Sequence, residues 1–168
     1  LYKRPILWSG ENQITGDKIF LKSNMETEEL DSLIIRGNVF MSQKDSLNEE
    51  RFNQIKGEKL DGYFSDGKLD NVFVVKNSSL LYYMYSDDEE LIGLNKTLSS
   101  SIKINFLNNE ISEVSFYKSP DGNVLSESNI ITNEMKLPGF IWREDERPKK
   151  ISDLFSEDDK KLKIVEIE

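Results

Sequence analysis

At 168 residues the chain is long enough for one domain with its own core, and 31 acidic against 22 basic residues give a formal charge of −9, which disfavours nucleic acid as a partner. It has neither cysteine nor histidine, which excludes disulfides, thiolate metal sites and every Ser-His or Cys-His dyad, so neither catalysis nor a metal or other cofactor is expected. No run approaches the roughly 18 consecutive apolar residues that a membrane-spanning helix needs.

The chain opens at Leu1-Tyr2-Lys3 and not at methionine, which reads as a processed or truncated product. The phrase Gln13-Ile14-Thr15-Gly16-Asp17-Lys18 returns 41 residues later as Gln54-Ile55-Lys56-Gly57-Glu58-Lys59. Leu30-Asp31-Ser32-Leu33-Ile34-Ile35 returns after 39 residues as Leu69-Asp70-Asn71-Val72-Phe73-Val74. A diverged third copy, Ile102 to Phe106 and Ile111 to Phe116, lies 42 residues beyond Leu60 to Phe64 and Leu69 to Val74. A repeat of this length is one supersecondary unit, which buries its apolar face only by stacking on its neighbours.

Each copy reads as β. In the first, Leu33, Ile35, Gly37, Val39 and Met41 alternate with Ile34, Arg36, Asn38, Phe40 and Ser42, and the odd set, uniformly apolar or small, points inward. Between the first two copies, Asp45 to Asn53 is the best helix candidate, because Ser46 and Glu49 form a capping-box pattern ahead of Phe52. Ser65-Asp66-Gly67-Lys68 is a two-residue hairpin signal, and Val72 and Val74 repeat the inward pair after it. Leu80 to Tyr85 is an aromatic-rich strand running into the acidic loop Ser86 to Glu90, read as solvated and not as a calcium site because the spacing of an EF-hand is absent. Leu91-Ile92-Gly93 returns from it as a long hairpin. In the third copy Ile102, Ile104 and Phe106 precede the turn signal Asn108-Asn109, Val114 and Phe116 follow it, and Pro120-Asp121-Gly122 reads as a further turn. The tail from Leu137 through Phe140 and Trp142 has no period and reads as a docked extension, with Ser152 to Lys161 as a second helix candidate in a charged terminus.

The expected architecture is all-β, a series of hairpins. Its apolar face, Leu33, Ile35, Val39, Val72, Val74, Ile102, Ile104, Phe106, Val114 and Phe116, is either a closed core or the lining of a trough wide enough for acyl chains; periodicity does not separate the two.

The Gly-Asp/Glu-Lys opening, the Leu-Asp-X-Val/Leu strand and above all Ile35-Arg36-Gly37-Asn38-Val39 resemble the repeats of the OstA-like family, the periplasmic lipopolysaccharide-transport proteins of the LptA type, over most of residues 11 to 126. Phe52-Asn53-Gln54-Ile55-Lys56-Gly57, Leu91 to Lys96 and Leu137 to Trp142 further resemble the OstA-like proteins of Bacteroidetes-type bacteria, where such phrases lie toward the C-terminal end of a longer chain. The resemblance implies an open, twisted β-jellyroll of repeated hairpins, expected over residues 1–136; residues 137–168 themselves read as an extension partly docked and partly disordered. It implies a non-enzymatic carrier or bridge in the periplasm that shields the acyl chains of lipopolysaccharide on the inner face and passes them, with other lipopolysaccharide-transport proteins, toward the outer membrane. Assembly edge to edge, as homo-oligomers or with those proteins, would use the first strands, with Ile14, Ile19 and Leu21. The Gly-Asn-Val phrase is intact only once, its counterparts being Lys76-Asn77-Ser78 and Lys118-Ser119-Pro120, which suits a specialised end module. In so acidic a chain, the lipid's phosphates are expected either to meet Lys18, Lys22, Lys59 and Lys76 or to stay in solvent with divalent counterions. Two alternatives stand beside this reading. One is a structural interaction module with a closed β-core, bound only through its edges. The other is a carbohydrate-binding β-domain with Tyr82, Tyr83 and Tyr85 as a sugar platform.

Overall fold

A computed structural model describes residues 4–108, 110–131 and 135–150. The alternating segments form nine strands: β1 (Ile6–Ser9), β2 (Asn12–Thr15), β3 (Lys18–Ser23), β4 (Leu30–Lys44), β5 (Phe52–Ser65), β6 (Lys68–Tyr85), β7 (Leu91–Leu107), β8 (Glu110–Tyr117) and β9 (Asp121–Leu125). All pairings are antiparallel, in the order β1-β2-β4-β5-β6-β7-β8, with β3 also on β4 and β9 also on β7. Because β2 and β3 lie end to end along β4, and β9 and β8 end to end along β7, the sheet is six long strands flanked by β1. The fold is all-β, a single open antiparallel sheet of jellyroll type.

The repeated phrases are the places where this sheet bends. Gly37-Asn38, Lys76-Asn77 and Lys118-Ser119 are consecutive residues with left-handed φ. The register slips by a bulge between Arg36 and Val39, between Lys56 and Lys59, and between Val75 and Ser78. Asn38 donates its amide hydrogens to the Asp17 carboxylate at 3.1 Å, Asn77 donates to Glu58 at 2.8 Å, and the Ser100 hydroxyl donates to the Lys118 carbonyl at 3.2 Å. The Gly-Asp and Gly-Glu phrases therefore hold the bulges that lie across from them. A bulge bends its strand and tightens its twist, and bulges stacked on neighbouring strands crease the whole sheet.

The crease brings the two halves face to face. Leu33 and Met41 are eight residues apart on β4, about 27 Å along a straight strand. Yet Ile104, which shares a cross-strand row with Leu33, borders the same gap of about 10 Å³ as Met41, Ile55 and Leu80. One apolar cluster accordingly draws on Ile14, Val39, Met41, Ile55 and Leu80 from the half nearer the Ser86–Glu90 loop, here the upper half. The lower half, nearer the Ser65–Lys68 turn, supplies Ile19, Leu33, Ile35, Leu60, Leu69, Val72, Val74, Ile102, Ile104 and Phe106.

Residues 137–147 run as a strap over the outer face of the upper half. Gln54 reads the strap's backbone: its side-chain carbonyl accepts from Leu137 N at 2.8 Å and its amide donates to Met135 O at 2.8 Å. Gln13 does the same further on, accepting from Arg143 N and donating to Ile141 O at 2.7 Å. Phe140 packs on Phe40 and Phe52, Trp142 on Phe52 and edge-on to Trp8, and Leu137 fills a second cluster with Leu81, Tyr83 and Leu94.

Two local expectations are corrected. Residues 45–51 form a loop and no helix: Asp45 accepts from Leu47 N at 2.8 Å and Asn48 from Glu50 N at 2.9 Å, so side chains that offer the backbone local turns displace the capping box. Pro120-Asp121-Gly122 is no reversal, since Asp121 and Gly122 pair with Leu98 and Thr97 and β9 continues the direction of β8; the irregularity sits one step earlier, at the Lys118-Ser119 bulge. The Ser65–Lys68 hairpin forms as expected, with Asp66 and Gly67 both at positive φ. Asn109 and the segment Ser152 to Lys161 lie outside the described residues.

Candidate functional site

The sequence-predicted inner face is brought together in cross-strand rows. Ile19, Ile35, Leu60, Val74, Ile102 and Phe116 form one row, and Leu21, Leu33, Gly62, Val72, Ile104 and Val114 the next. Phe106 sits opposite Ile111 beyond them, and Val39 lies across the crease in the upper half. These rows exist because the repeats place apolar residues at matching offsets and the bulges keep the offsets in phase across the sheet.

The space between the halves is filled. Leu33, Ile35, Val72, Val74 and Ile102 are 0% exposed, Val39 and Ile104 1% and Phe106 7%. Val114 and Phe116, on β8, are half-buried. Toward the open end the inner face of the upper half turns polar, from Ile14, Met41, Ile55 and Leu80 to Asn12, Gln43, Asn53 and Tyr82. A cleft of about 870 Å³ opens there, bordered by Gln43, Asn53, Tyr82 and Glu110.

The edges are unequal. Among the described residues no strand pairs with the outer side of β3 or of β8, the two ends of the lower half, nor with that of β1 or of β9, the ends of the upper half. In the upper half the free side of β1 is flanked by the strap: Arg143 donates to Arg4 O at 3.1 Å, and Arg147 donates to Gly10 O at 3.0 Å while stacking on Trp8. Of the residues expected on an assembly edge, Ile19 and Leu21 are on β3. Ile14 is on β2, which β1 covers, so it is an interior residue at 0% exposure. Ile19 turns its side chain into the core, so an incoming strand would meet β3 through its backbone and through Leu21.

The three tyrosines do not share a face. Tyr82 points inward, whereas Tyr83 and Tyr85 point outward under the strap and the 45–51 loop, and all three border the cleft. Tyr85 donates a short hydrogen bond to Asp45 and accepts one from Arg51 at 3.1 Å, and the Arg51 guanidinium lies 5.4 Å over the Tyr83 ring. Burial pushes the Tyr83 phenol up to about 12, and it raises Tyr82 and Tyr85 as well. A flat three-ring sugar platform is therefore not formed by strand β6, where neighbouring residues face opposite sides.

Sequence reading missed the strap's anchors. The signal was present, for Gln13 and Gln54 open the two copies of the same phrase, but an amide that reads a distant backbone has no period of its own. No protein-family model, no curated protein and no solved structure matches the chain.

Proposed function

We propose that this chain is a non-enzymatic β-module with a closed core that assembles edge to edge, as one link of a periplasmic bridge for lipopolysaccharide of the OstA-like kind. The observation that carries this reading lies at the edges: among the described residues no strand pairs with the outer side of β3 or of β8, at the two ends of the lower half, while the strap's arginines occupy the carbonyls flanking β1. Unpaired edges are a liability that proteins blunt unless pairing is their use. The filled interior supports it further, because rows at 0–1% exposure give a rigid body on which edges keep their register.

The absence of cysteine makes the test free of background. Phe20 on β3 and Ser115 on β8 belong to the same outer row, so a strand added in register places them side by side. Mixing Phe20→Cys with Ser115→Cys under oxidation should give disulfide-linked dimers, and Phe20→Cys alone should not. No mixed dimer at any concentration, with cysteines moved along both strands to allow for register, would contradict edge assembly.

Acyl shielding, the role the resemblance implies, is a second reading favoured by one feature. The apolar rows emerge at the rims, where Val114, Phe116 and Ile111 are half-buried along β8 and Leu21 is exposed along β3. An acyl chain would enter there by parting the halves. A photo-reactive residue at Phe116 would then label lipid more strongly than one at Ile35; a lipid adduct from neither would exclude the trough.

A further inference from the structure

The strap covers the upper half's outer face, and among the described residues no segment lies over the outer face of the lower half. Its rows run Lys18, Arg36, Lys59, Val75, Ser101, Tyr117; then Phe20, Ile34, Asp61, Phe73, Lys103, Ser115; then Lys22, Ser32, Tyr63, Asn71, Asn105, Glu113. Five of these side chains are basic and two acidic, the reverse of the balance in a chain of charge −9. Asp61 is spent on Arg36 at 2.8 Å and Glu113 accepts from Asn105 at 2.8 Å. Lys18, Lys22, Lys59 and Lys103 have no carboxylate partner among the described residues. Between the lysines stand aromatic rings: Phe20, Tyr63 and Tyr117 are 43%, 52% and 44% exposed, and Phe73 packs edge-on to Tyr117 at 5.7 Å.

We infer that this face binds a short anionic oligosaccharide, a sugar chain bearing carboxylates or phosphates. Unpaired ammonium groups attract the acid groups, exposed rings offer apolar faces to the sugar rings, and Ser101 and Ser115 supply neutral hydrogen-bonding groups among them, while the Asn71 amide donates to Asp70 at 2.8 Å. Charge complementarity selects the size as well. The face spans about 24 Å from β3 to β8, and the chain outside these rows is acidic in formal charge. An extended polyanion, whether nucleic acid or an anionic bilayer, meets repulsion outside the patch, and screening over about 8 Å at physiological salt keeps a short ligand within the favourable region. The site is the outward face of the sheet, which a strand added at β3 or β8 would extend and not cover, so binding does not require the proposed assembly.

Isothermal titration of the full chain with tetragalacturonic acid tests this, with maltotetraose as the neutral probe, inorganic phosphate as the bare anion and phosphatidylglycerol vesicles as the extended one. The acidic tetrasaccharide should bind more tightly than the other three. Lys59→Gln with Lys103→Gln should weaken it about tenfold, as loss of charged hydrogen bonds does, and Tyr63→Ala should weaken it with the lysines intact. Lys68→Gln, at the exposed hairpin tip, should leave it unchanged. Circular dichroism establishes that each variant keeps its sheet. No binding of the acidic tetrasaccharide, equal binding of maltotetraose, stronger binding of the vesicles, or an unchanged affinity in the lysine double variant would each overturn the inference.

Discussion

A methyl group added at Gly57 would sit 2.5 Å from Val74 Cγ1, and one at Gly16 2.2 Å from Ile35 Cγ2. The glycines of the repeated phrase thus mark close approach of one strand to the next at the crease, and Gly57→Ala should cost about 1–3 kcal/mol of stability in urea unfolding, as overpacking does. Their recurrence was legible in the sequence; their reason was not, because it depends on which residue lies across the register. Tyr83 carries a second residue-scale prediction. Its hydroxyl is buried without a hydrogen-bond partner among the described residues, and burial lifts its pKa to about 12. The folded state therefore holds this proton to higher pH than the unfolded chain, whose tyrosines titrate near ~10, so the stability present below pH ~10 is lost as pH rises toward ~12. Tyr83→Phe should match or exceed the unsubstituted protein at neutral pH and lose less between those values, read from urea melts at each pH. A phenylalanine that brought a large loss at neutral pH would mean that the hydroxyl is satisfied after all.

At the scale of elements the long strands and the Asp66-Gly67 hairpin were legible, because alternation and turn chemistry are local properties. The loop at 45–51 was not, since the capping-box pattern and the Asx turns use the same polar residues and only the neighbours decide between them. Nor was the strap's path legible, for Phe140 and Trp142 find Phe40, Phe52 and Trp8 more than eighty residues away in sequence. Gln54, 2% exposed, holds this segment through two backbone hydrogen bonds. Gln54→Ala leaves the buried Leu137 N–H unpaired and the half-buried Met135 carbonyl without its donor, which should cost about 1–3 kcal/mol. It should also loosen the Trp8–Trp142 contact, seen as a red shift of tryptophan emission and faster proteolysis around Lys136. Unchanged emission and proteolysis would show that ring packing alone keeps the strap in place.

For the whole molecule, periodicity foretold which side chains share a face, and the paired rows of Leu33, Val72, Ile104 and Val114 and of Ile35, Val74, Ile102 and Phe116 follow from it. Whether that face closes was not legible. Closure comes from the crease, and the crease comes from paired left-handed residues such as Lys76-Asn77 that carry no hydrophobic signal. With the interior filled, a charge at Val74 has no water to reach, so Val74→Asp should prevent stable folding altogether. A lined trough would tolerate it with the sheet intact, a difference that circular dichroism and thermal melts resolve. The proposed link function then rests on β3 and β8, the lower half's two end strands among the described residues. Amide hydrogen exchange at low and at high protein concentration reads both properties together. Protection of β4 to β7 should be high and independent of concentration, while β3 and β8 should gain protection only as concentration rises. Protection of β3 and β8 that never changes with concentration, or fast exchange along the Ile35 and Val74 row, would contradict a closed module joined at its edges.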